Sequence, residues 1–350
     1  MFTQMLVQRV LGSPLVDLLT GPHGVDRYTE LLRPTWTLAE ARATVLDVRR
    51  DTASDVTLML QPNAAFTGFK AGQYVTVSVE VDGRRHTRCY SPANAEGSAL
   101  LELTIRRHDR GRVSGYLYDR AAPGLVLGLS AAQGAFVLPT PRPRRILFVA
   151  GGSGITPIVS MLRTLRAEGF TGQAAVLRYA PSAVEAAYRH ELQGLNVTVL
   201  HGFTRDAHGT DVVGRFGPAH LASAMADPDA VFVCGPPGLV EAVGELCPGT
   251  RSESFVPPAA LAPIDTAGGR LRFTDSAVEV TDDGRSLLDQ AEAAGLAPQS
   301  GCRMGICHTC TRRKTRGAVR DLTTGAVSGT EAEDVQICVS APVGDVEVAL

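Results

Sequence analysis

The sequence predicts a multidomain α+β and α/β protein: an antiparallel β-barrel, then a doubly wound α/β domain, then a small α+β domain at the C-terminal end. Three observations predict it. Between residues 41 and 140, short alternating runs of β-branched residues are punctuated by Gly, Pro, Asn and Asp. At Ile146-Leu-Phe-Val-Ala150 the pattern becomes a continuous apolar run that leads at once into a glycine-rich loop and a helical segment. Near the C-terminus stands Cys302-x4-Cys307-x2-Cys310, with Cys338 farther on.

The bulk properties narrow the class. The chain has 350 residues, enough for about two or three domains. It is 44% hydrophobic with a formal charge of -2, ordinary for a globular protein in water, and no positive field points to nucleic acid. Four of its seven cysteines fall in the C-terminal motif; Cys89, Cys234 and Cys247 read as reduced thiols of a cytoplasmic protein. Residues 1–40 form an N-terminal helical extension. Its apolar residues Met5, Leu6, Val10, Leu15, Leu18 and Leu19 are interrupted by Gly12 and Pro14. That pattern is neither a cleavable signal nor a run of roughly 20 apolar residues that spans a bilayer. Two short amphipathic helices packed on the body are expected, with peripheral membrane contact as the second reading.

Strands are predicted at Ala43–Arg49, Val56–Leu60, Tyr74–Val81, Arg84–Tyr90, Leu100–Arg106 and Leu125–Leu129. Such spacing suggests a small antiparallel barrel over 41–140. Over 143–255 a buried strand at Ile146 precedes a helix at Ile158–Glu168. Strands follow at Ala174–Tyr179 and Val197–Leu200, with a helix ending near Leu192 between them, and Val231–Cys234 is the last buried strand. Residues 256–270, broken by Pro and Gly, read as a linker. Over 271–350, Leu271–Phe273 and Ala277–Val280 form a hairpin, a helix starts at Ser286 and stops at Gly295, and two closing strands follow the cysteine loop.

The cysteine spacing matches the plant-type ferredoxin pattern, in which four thiolates hold a 2Fe-2S cluster. Soft anionic sulfur suits iron, and Gly301 and Gly305 let the loop wrap tightly. A zinc half-site or a redox dithiol at Cys307 and Cys310 is the alternative, disfavoured by the C-x4-C arm. His308 reads as an exposed or supporting residue, because all four cysteine positions are filled. The loop Gly151-Gly-Ser-Gly-Ile-Thr-Pro157, between strand and helix, can hold a pyrophosphate on backbone N–H groups. Cys234-Gly-Pro-Pro-Gly238 ends a later strand of the same sheet, so both motifs fall where open α/β sheets bind ligands. In the barrel, Arg88-Cys-Tyr-Ser91 combines a phosphate-neutralising cation, a ring that can lie on a flat ligand and a hydroxyl for a polar edge. Gly111-Arg-Val-Ser-Gly115 is a second phosphate-cradling turn.

Taken in order, Arg88-x-Tyr90-Ser91, Gly111-x-Val113-Ser114, the Gly151 loop and Cys234-Gly-Pro-Pro-Gly resemble the ferredoxin-NADP reductase superfamily of flavoproteins. With a C-terminal β-grasp ferredoxin domain, the chain is similar to single-chain reductases that supply oxygenases, hydroxylases and desaturases. The resemblance covers about residues 40–350. The segment Pro22-His-Gly-Val-Asp-Arg-Tyr28 is similar to that of actinobacterial reductases associated with acyl-CoA desaturases.

The resemblance implies FAD, NAD(P)H and a 2Fe-2S cluster as cofactors, FAD being favoured over FMN because two phosphate-cradling turns suit an adenine half. It implies that Arg88 pairs with the flavin phosphates, Tyr90 stacks on the isoalloxazine and Ser91 faces its reactive nitrogen. Val113 and Ser114 offer N–H groups to the pyrophosphate. Gly152, Gly154, Thr156 and Gly235 serve the nicotinamide dinucleotide, with Cys234 beside the nicotinamide. Glu253 and Phe255 close over the flavin, and Cys302, Cys307, Cys310 and Cys338 hold the cluster. One departure stands out: relatives often carry an arginine where Pro181 stands, so Arg178 or Arg189 is the candidate 2′-phosphate cation and the choice between NADH and NADPH stays open.

The expected activity is electron transfer from NAD(P)H through FAD and the cluster, one electron at a time, to an external desaturase, hydroxylase, oxygenase or P450. The chain is expected to act as a monomer. A flavin reductase with a small-molecule acceptor and a redox-sensing protein are the alternatives. Residues 271–350 carry 8 Lys and Arg against 12 Asp and Glu. The run Arg312-Arg-Lys-Thr-Arg316 with Arg320 is therefore expected to make a positive rim that steers an acidic partner, a solvated hairpin being the plainer reading.

Overall fold

The computed structural model describes residues 25–37, 40–109, 111–206, 208–255, 268–301, 303–305 and 308–350. The chain separates into two compact units, one ending at Ser254 and one beginning at Phe255. The two helices expected before residue 20, and most of the linker, lie outside the described residues. Among the described residues no helix is long and apolar enough to cross a membrane.

The first unit starts with α1 (Asp26–Leu32), tied to the sheet by Arg42, which reaches Glu30 at 2.7 Å and the Pro34 carbonyl at 2.7 Å. Six antiparallel strands follow: β1 (Arg42–Arg49), β2 (Asp55–Pro62), β3 (Val75–Val81), β4 (Arg84–Tyr90), β5 (Leu101–Arg106) and β6 (Val126–Leu129). Period-two alternation sets their faces: Val75, Val77 and Val79 point inward, Thr76, Ser78 and Glu80 outward. The order β4-β3-β6-β1-β2-β5 leaves β4 and β5 at the two ends. No ladder joins them among the described residues, so the predicted barrel is a half-barrel. Helix α2 (Arg112–Arg120) drops Val113 and Leu117 onto Leu58, Leu60, Leu103 and Ile105, each side chain worth about 1.5–3 kcal/mol when buried.

The unit continues into a parallel sheet of order β11-β10-β7-β8-β9. Its elements are β7 (Arg145–Gly151), a 3-10 turn at Gly152–Gly154, α3 (Ile155–Ala167), β8 (Gln173–Ala180), α4 (Arg189–Gln193), β9 (Thr198–Phe203), α5 (Pro218–Met225), β10 (Ala230–Cys234), α6 (Pro237–Leu246) and β11 (Arg251–Glu253). Helices α5 and α6 and strand β11 were not expected. Both helices open on a proline, a first-turn signal that was available. From β7 the chain steps outward to β8 and β9, then returns to the other side of β7 as β10. That reversal makes the carboxyl ends of β7 and β10 neighbours at a topological switch point.

A polar network fixes the half-barrel against the α/β half. Arg163 of α3 grips both oxygens of Glu191 at 2.7 Å and reaches Glu102 of β5 at 3.1 Å. The Tyr188 hydroxyl donates to the same Glu102 carboxylate at 2.9 Å. Glu102 is only 5% exposed, so protein donors take the place of water around its carboxylate.

The second unit holds β12 (Arg270–Phe273), β13 (Val278–Thr281), α7 (Leu287–Ala293), β14 (Thr311–Asp321), β15 (Glu333–Gln336) and β16 (Ser340–Val348), in the order β13-β12-β16-β14-β15. Parallel pairing of β12 with β16 gives the β-grasp arrangement. Strand β12 begins on the last residue predicted as linker, and three strands rather than two follow the cysteine loop. Ser286 caps α7 by accepting the Asp289 N–H at 3.1 Å, and Gly295, at φ 85°, ends it.

The network predicts that Arg163→Met, which leaves the buried Glu102 carboxylate only the longer 3.5 Å ion pair to Arg49, lowers unfolding free energy by about 2–3 kcal/mol. Urea denaturation checks this; a loss under about 0.5 kcal/mol contradicts it.

Candidate functional site

The switch point is shaped by what its glycines exclude. A Cβ on Gly154 would stand 2.1 Å from the Cys234 carbonyl oxygen, and one on Gly235 would stand 3.1 Å from the Gly151 nitrogen. The two motif turns therefore touch backbone to backbone, and only glycine permits it. Gly152, at φ 56°, has open space on its Cβ side. Thr156 is buried and donates to the Ser153 carbonyl at 3.2 Å, closing the first turn of α3.

Beside these turns lies a cleft of about 570 Å³, lined by Gly151, Gly152, Pro181, Arg215 and Phe216 from the α/β half and by Arg106 from the half-barrel. Its cations are not those expected. Arg178 is 2% exposed and donates to the Tyr179 carbonyl at 2.9 Å, and burial lowers its pKa to about 10. Arg189 lies over the Phe203 ring at 6.0 Å and does not line the cleft. The exposed Arg215, three residues before α5, and Arg106, at the end of β5, replace them. Sequence reading missed both because they come from segments far from Pro181.

On the half-barrel side, Arg88 and Tyr90 end β4, opposite Val77 and Val75 of β3. Burial pushes the Tyr90 phenol well above its ordinary value. Ser91, next in the chain, is 2% exposed and its hydroxyl oxygen has no hydrogen-bond partner. Across the parallel sheet, Glu253 of β11 is in register with Cys234 of β10. Burial raises Glu253 to about 8, and one carboxyl oxygen is enclosed without a partner. The same enclosure, with Glu253 nearby, pushes the Cys234 thiol far up, so it is an uncharged thiol rather than a nucleophile. At Gly134 a Cβ would lie 3.2 Å from the Tyr74 ring and 3.8 Å from the Glu253 carboxyl, so this turn closes one flank. Val113 and Ser114 lie in the first turn of α2, whose leading N–H groups have no intrahelical acceptor. The Ser114 hydroxyl itself is occupied, accepting from the His108 N–H at 3.2 Å.

Buried polar atoms without partners are rare and call for one. Ser91 and Glu253 are two such groups, and a flavin ring offers donors and acceptors along its polar edge. These residues therefore fit a flavin.

In the second unit Cys302 and Cys307 lie outside the described residues. Cys310 and Cys338 are 1% and 8% exposed within one core cluster. The pairing of Thr311 with Gln336, extended by the Ile337 N–H donating to the Cys310 carbonyl at 3.4 Å, brings both cysteines to one end of the β14–β15 hairpin. Two buried soft sulfurs at one end suit a thiolate-held cluster. Gln336 donates to the Gly305 carbonyl at 2.8 Å, and Arg303 binds Glu292 at 3.0 Å. His308 is exposed, its Nδ1 3.1 Å from the Gln336 amide nitrogen. Phe255 opens this unit, whereas Ser91 and Glu253 belong to the first.

The positive rim is thinner than the run of arginines predicts. Lys314 is fully buried, donating to Glu333 at 2.8 Å and Ser328 at 3.0 Å, because alternation along β14 turns it inward. Arg313 pairs with Asp334 at 3.4 Å.

Comparison with known proteins agrees with this geometry. Residues 44–138 match the oxidoreductase FAD-binding domain, 148–245 the oxidoreductase NAD-binding domain and 272–343 the 2Fe-2S iron-sulfur cluster binding domain. An NADPH oxidoreductase of Mycobacterium tuberculosis is 34% identical over 341 residues, covering 93% of this chain and 89% of that protein. A glycine betaine monooxygenase reductase subunit of Pseudomonas aeruginosa is 27% identical over 318 residues, covering 80% and 87%. The structure of phthalate dioxygenase reductase superposes with a TM-score of 0.63 at 23% identity, covering 88% of this chain and 97% of that one. The chain belongs to the ferredoxin-NADP reductase superfamily, as an NAD(P)H-dependent oxidoreductase with FAD-binding, NAD-binding and 2Fe-2S domains on one polypeptide.

Proposed function

We propose that this protein is the reductase of a two-component oxygenase or desaturase system, passing electrons from NADPH by way of FAD and the 2Fe-2S cluster to a separate protein acceptor. The observation that carries the reading is the pair of enclosed, unpartnered groups, Ser91 and Glu253, in the same unit as the switch-point cleft. Relatives named as reductase subunits of a stachydrine N-demethylase and a glycine betaine monooxygenase support the acceptor class. A bound flavin supplies the exchange between hydride and single electrons that links a nicotinamide to an iron-sulfur cluster.

The chain's own residues bind, orient and shield. Arg88 pairs with the flavin phosphates, Tyr90 covers the ring, and α2 offers the Val113 and Ser114 N–H groups to the diphosphate. Ser91 and the Glu253 carboxyl hydrogen-bond the reacting edge, Glu253 as a donor because burial keeps it protonated at neutral pH. Gly152 leaves open space for the coenzyme, Gly154 and Gly235 keep the two turns in backbone contact and Thr156 closes the first turn of α3, so that these residues shape the coenzyme site. Cys234 packs beside the nicotinamide, and Arg106 and Arg215 meet the coenzyme phosphates. Cys302, Cys307, Cys310 and Cys338 hold the cluster, and Phe255 belongs to the segment that covers the flavin. Modules at 41–140, 143–255 and 271–350, following an extension at 1–40, act together as a monomer in the cytoplasm, where cysteine thiols stay reduced.

Three outcomes follow. Cys307→Ser leaves NADPH reduction of the bound flavin within about twofold, while cytochrome c reduction falls on the order of tenfold or more. Stopped-flow absorbance separates the two rates, and equal retention of both contradicts the reading. Arg215→Glu raises KM for NADPH about 10–100-fold, the range expected for losing a hydrogen bond to a charged group, with little change for NADH; parallel changes in both coenzymes refute the assignment.

Glu253 sets a pH dependence. Its folded value is about 8 against an ordinary carboxyl value of 4.5, so between these limits the folded chain holds a proton that the unfolded chain has released. Stability therefore falls as pH rises through that window and levels above it. In flavin-free protein, Glu253→Gln should flatten this part of the Tm profile; an unchanged slope means the carboxyl is not held protonated.

A further inference from the structure

Arg106 stands in two places at once. It lines the coenzyme cleft and also an enclosed chamber of about 10 Å³ beneath the Gly152–Thr156 loop, room for about one water. In the chamber its guanidinium holds the Glu185 carboxylate at 2.9 Å, and the Ser182 hydroxyl donates to the other Glu185 oxygen at 3.0 Å. The pair is partly exposed, 24% for Arg106 and 30% for Glu185. Arg178, fully buried, lines the same chamber together with Asp55, so groups of both signs adjoin Arg106 there. Glu185 follows Pro181, which lines the cleft, by four residues, so the carboxylate and the coenzyme phosphates address one cation from adjoining spaces.

A guanidinium offers the same fork of donors to a carboxylate as to a phosphate, and it cannot satisfy both fully. We propose that Glu185 is a built-in competitor for Arg106 that weakens nicotinamide coenzyme binding and so speeds release of the oxidised coenzyme. The inference rests on the coenzyme reading of the cleft. It assigns Glu185 no contact with the ligand, and its signature runs opposite to that of a binding residue: removing it tightens binding.

The test uses the flavin-loaded full chain with NADP⁺ as probe, titrated by difference absorbance and displaced in stopped flow. Glu185→Gln should lower Kd roughly two- to fivefold, chiefly through slower dissociation, the size expected for releasing a partly exposed ion pair. Glu185→Ala, which keeps no hydrogen-bonding group, should change Kd in the same direction. Arg106→Ala should raise Kd, and in that background Glu185→Gln should do nothing. Unchanged or weaker binding in both Glu185 variants overturns the proposal, as does an equal gain with Arg106 absent. If Arg215→Glu also fails to move NADP⁺ affinity, the coenzyme reading of the cleft has failed; if Arg215 matters and Glu185 does not, only this inference has.

Discussion

Everything in the first unit depends on a place where two turns meet with no side chain between them. Gly151, Gly154 and Gly235 let the ends of β7 and β10 approach to backbone contact. The reversal of strand order at that seam opens the cleft beside it. A methyl group at Gly154 would collide with the Cys234 carbonyl and displace the turn that follows β7. The same seam carries Cys234 into register with Glu253, so one constraint places the enclosed thiol and the enclosed carboxyl side by side on neighbouring strands.

The electrostatics are arranged around that seam. Charged side chains that join the two halves of the unit are paired: Arg163 with Glu102 and Glu191, and Arg106 with Glu185. The Cys234 thiol and the Glu253 carboxyl, in register beside the seam, are instead left neutral by burial. A neutral carboxyl can donate a hydrogen bond where an ionised one can only accept, and that is the property a reduced flavin edge calls for.

Much of this was legible before any coordinates. Period-two alternation located all six half-barrel strands within a few residues, and the unbroken apolar run at Ile146 announced a strand covered on both faces. The cysteine spacing and the glycine loops carried chemistry because their residue types have few other uses there. What stayed hidden was set by tertiary packing. Open ends at β4 and β5 depend on hydrogen bonds that no strand sequence encodes alone. Arg178 reads as a candidate 2′-phosphate cation until β8 is seen to be covered on both sides, and Lys314 reads as part of a basic rim until β14 turns it inward. Arg106 and Arg215 reach one cleft from segments more than a hundred residues apart, a juxtaposition with no local signature.

The central claim is that hydride enters at the switch-point cleft and leaves as single electrons through thiolate-held iron. Anaerobic titration of the purified protein with NADPH, followed by absorbance and electron paramagnetic resonance, tests it most directly. The account predicts flavin bleaching together with a paramagnetic signal from a reduced cluster, at about three electrons per chain, two on the flavin and one on the iron centre. An end point of about two electrons with no cluster signal, in protein that contains no iron or acid-labile sulfide, would contradict it.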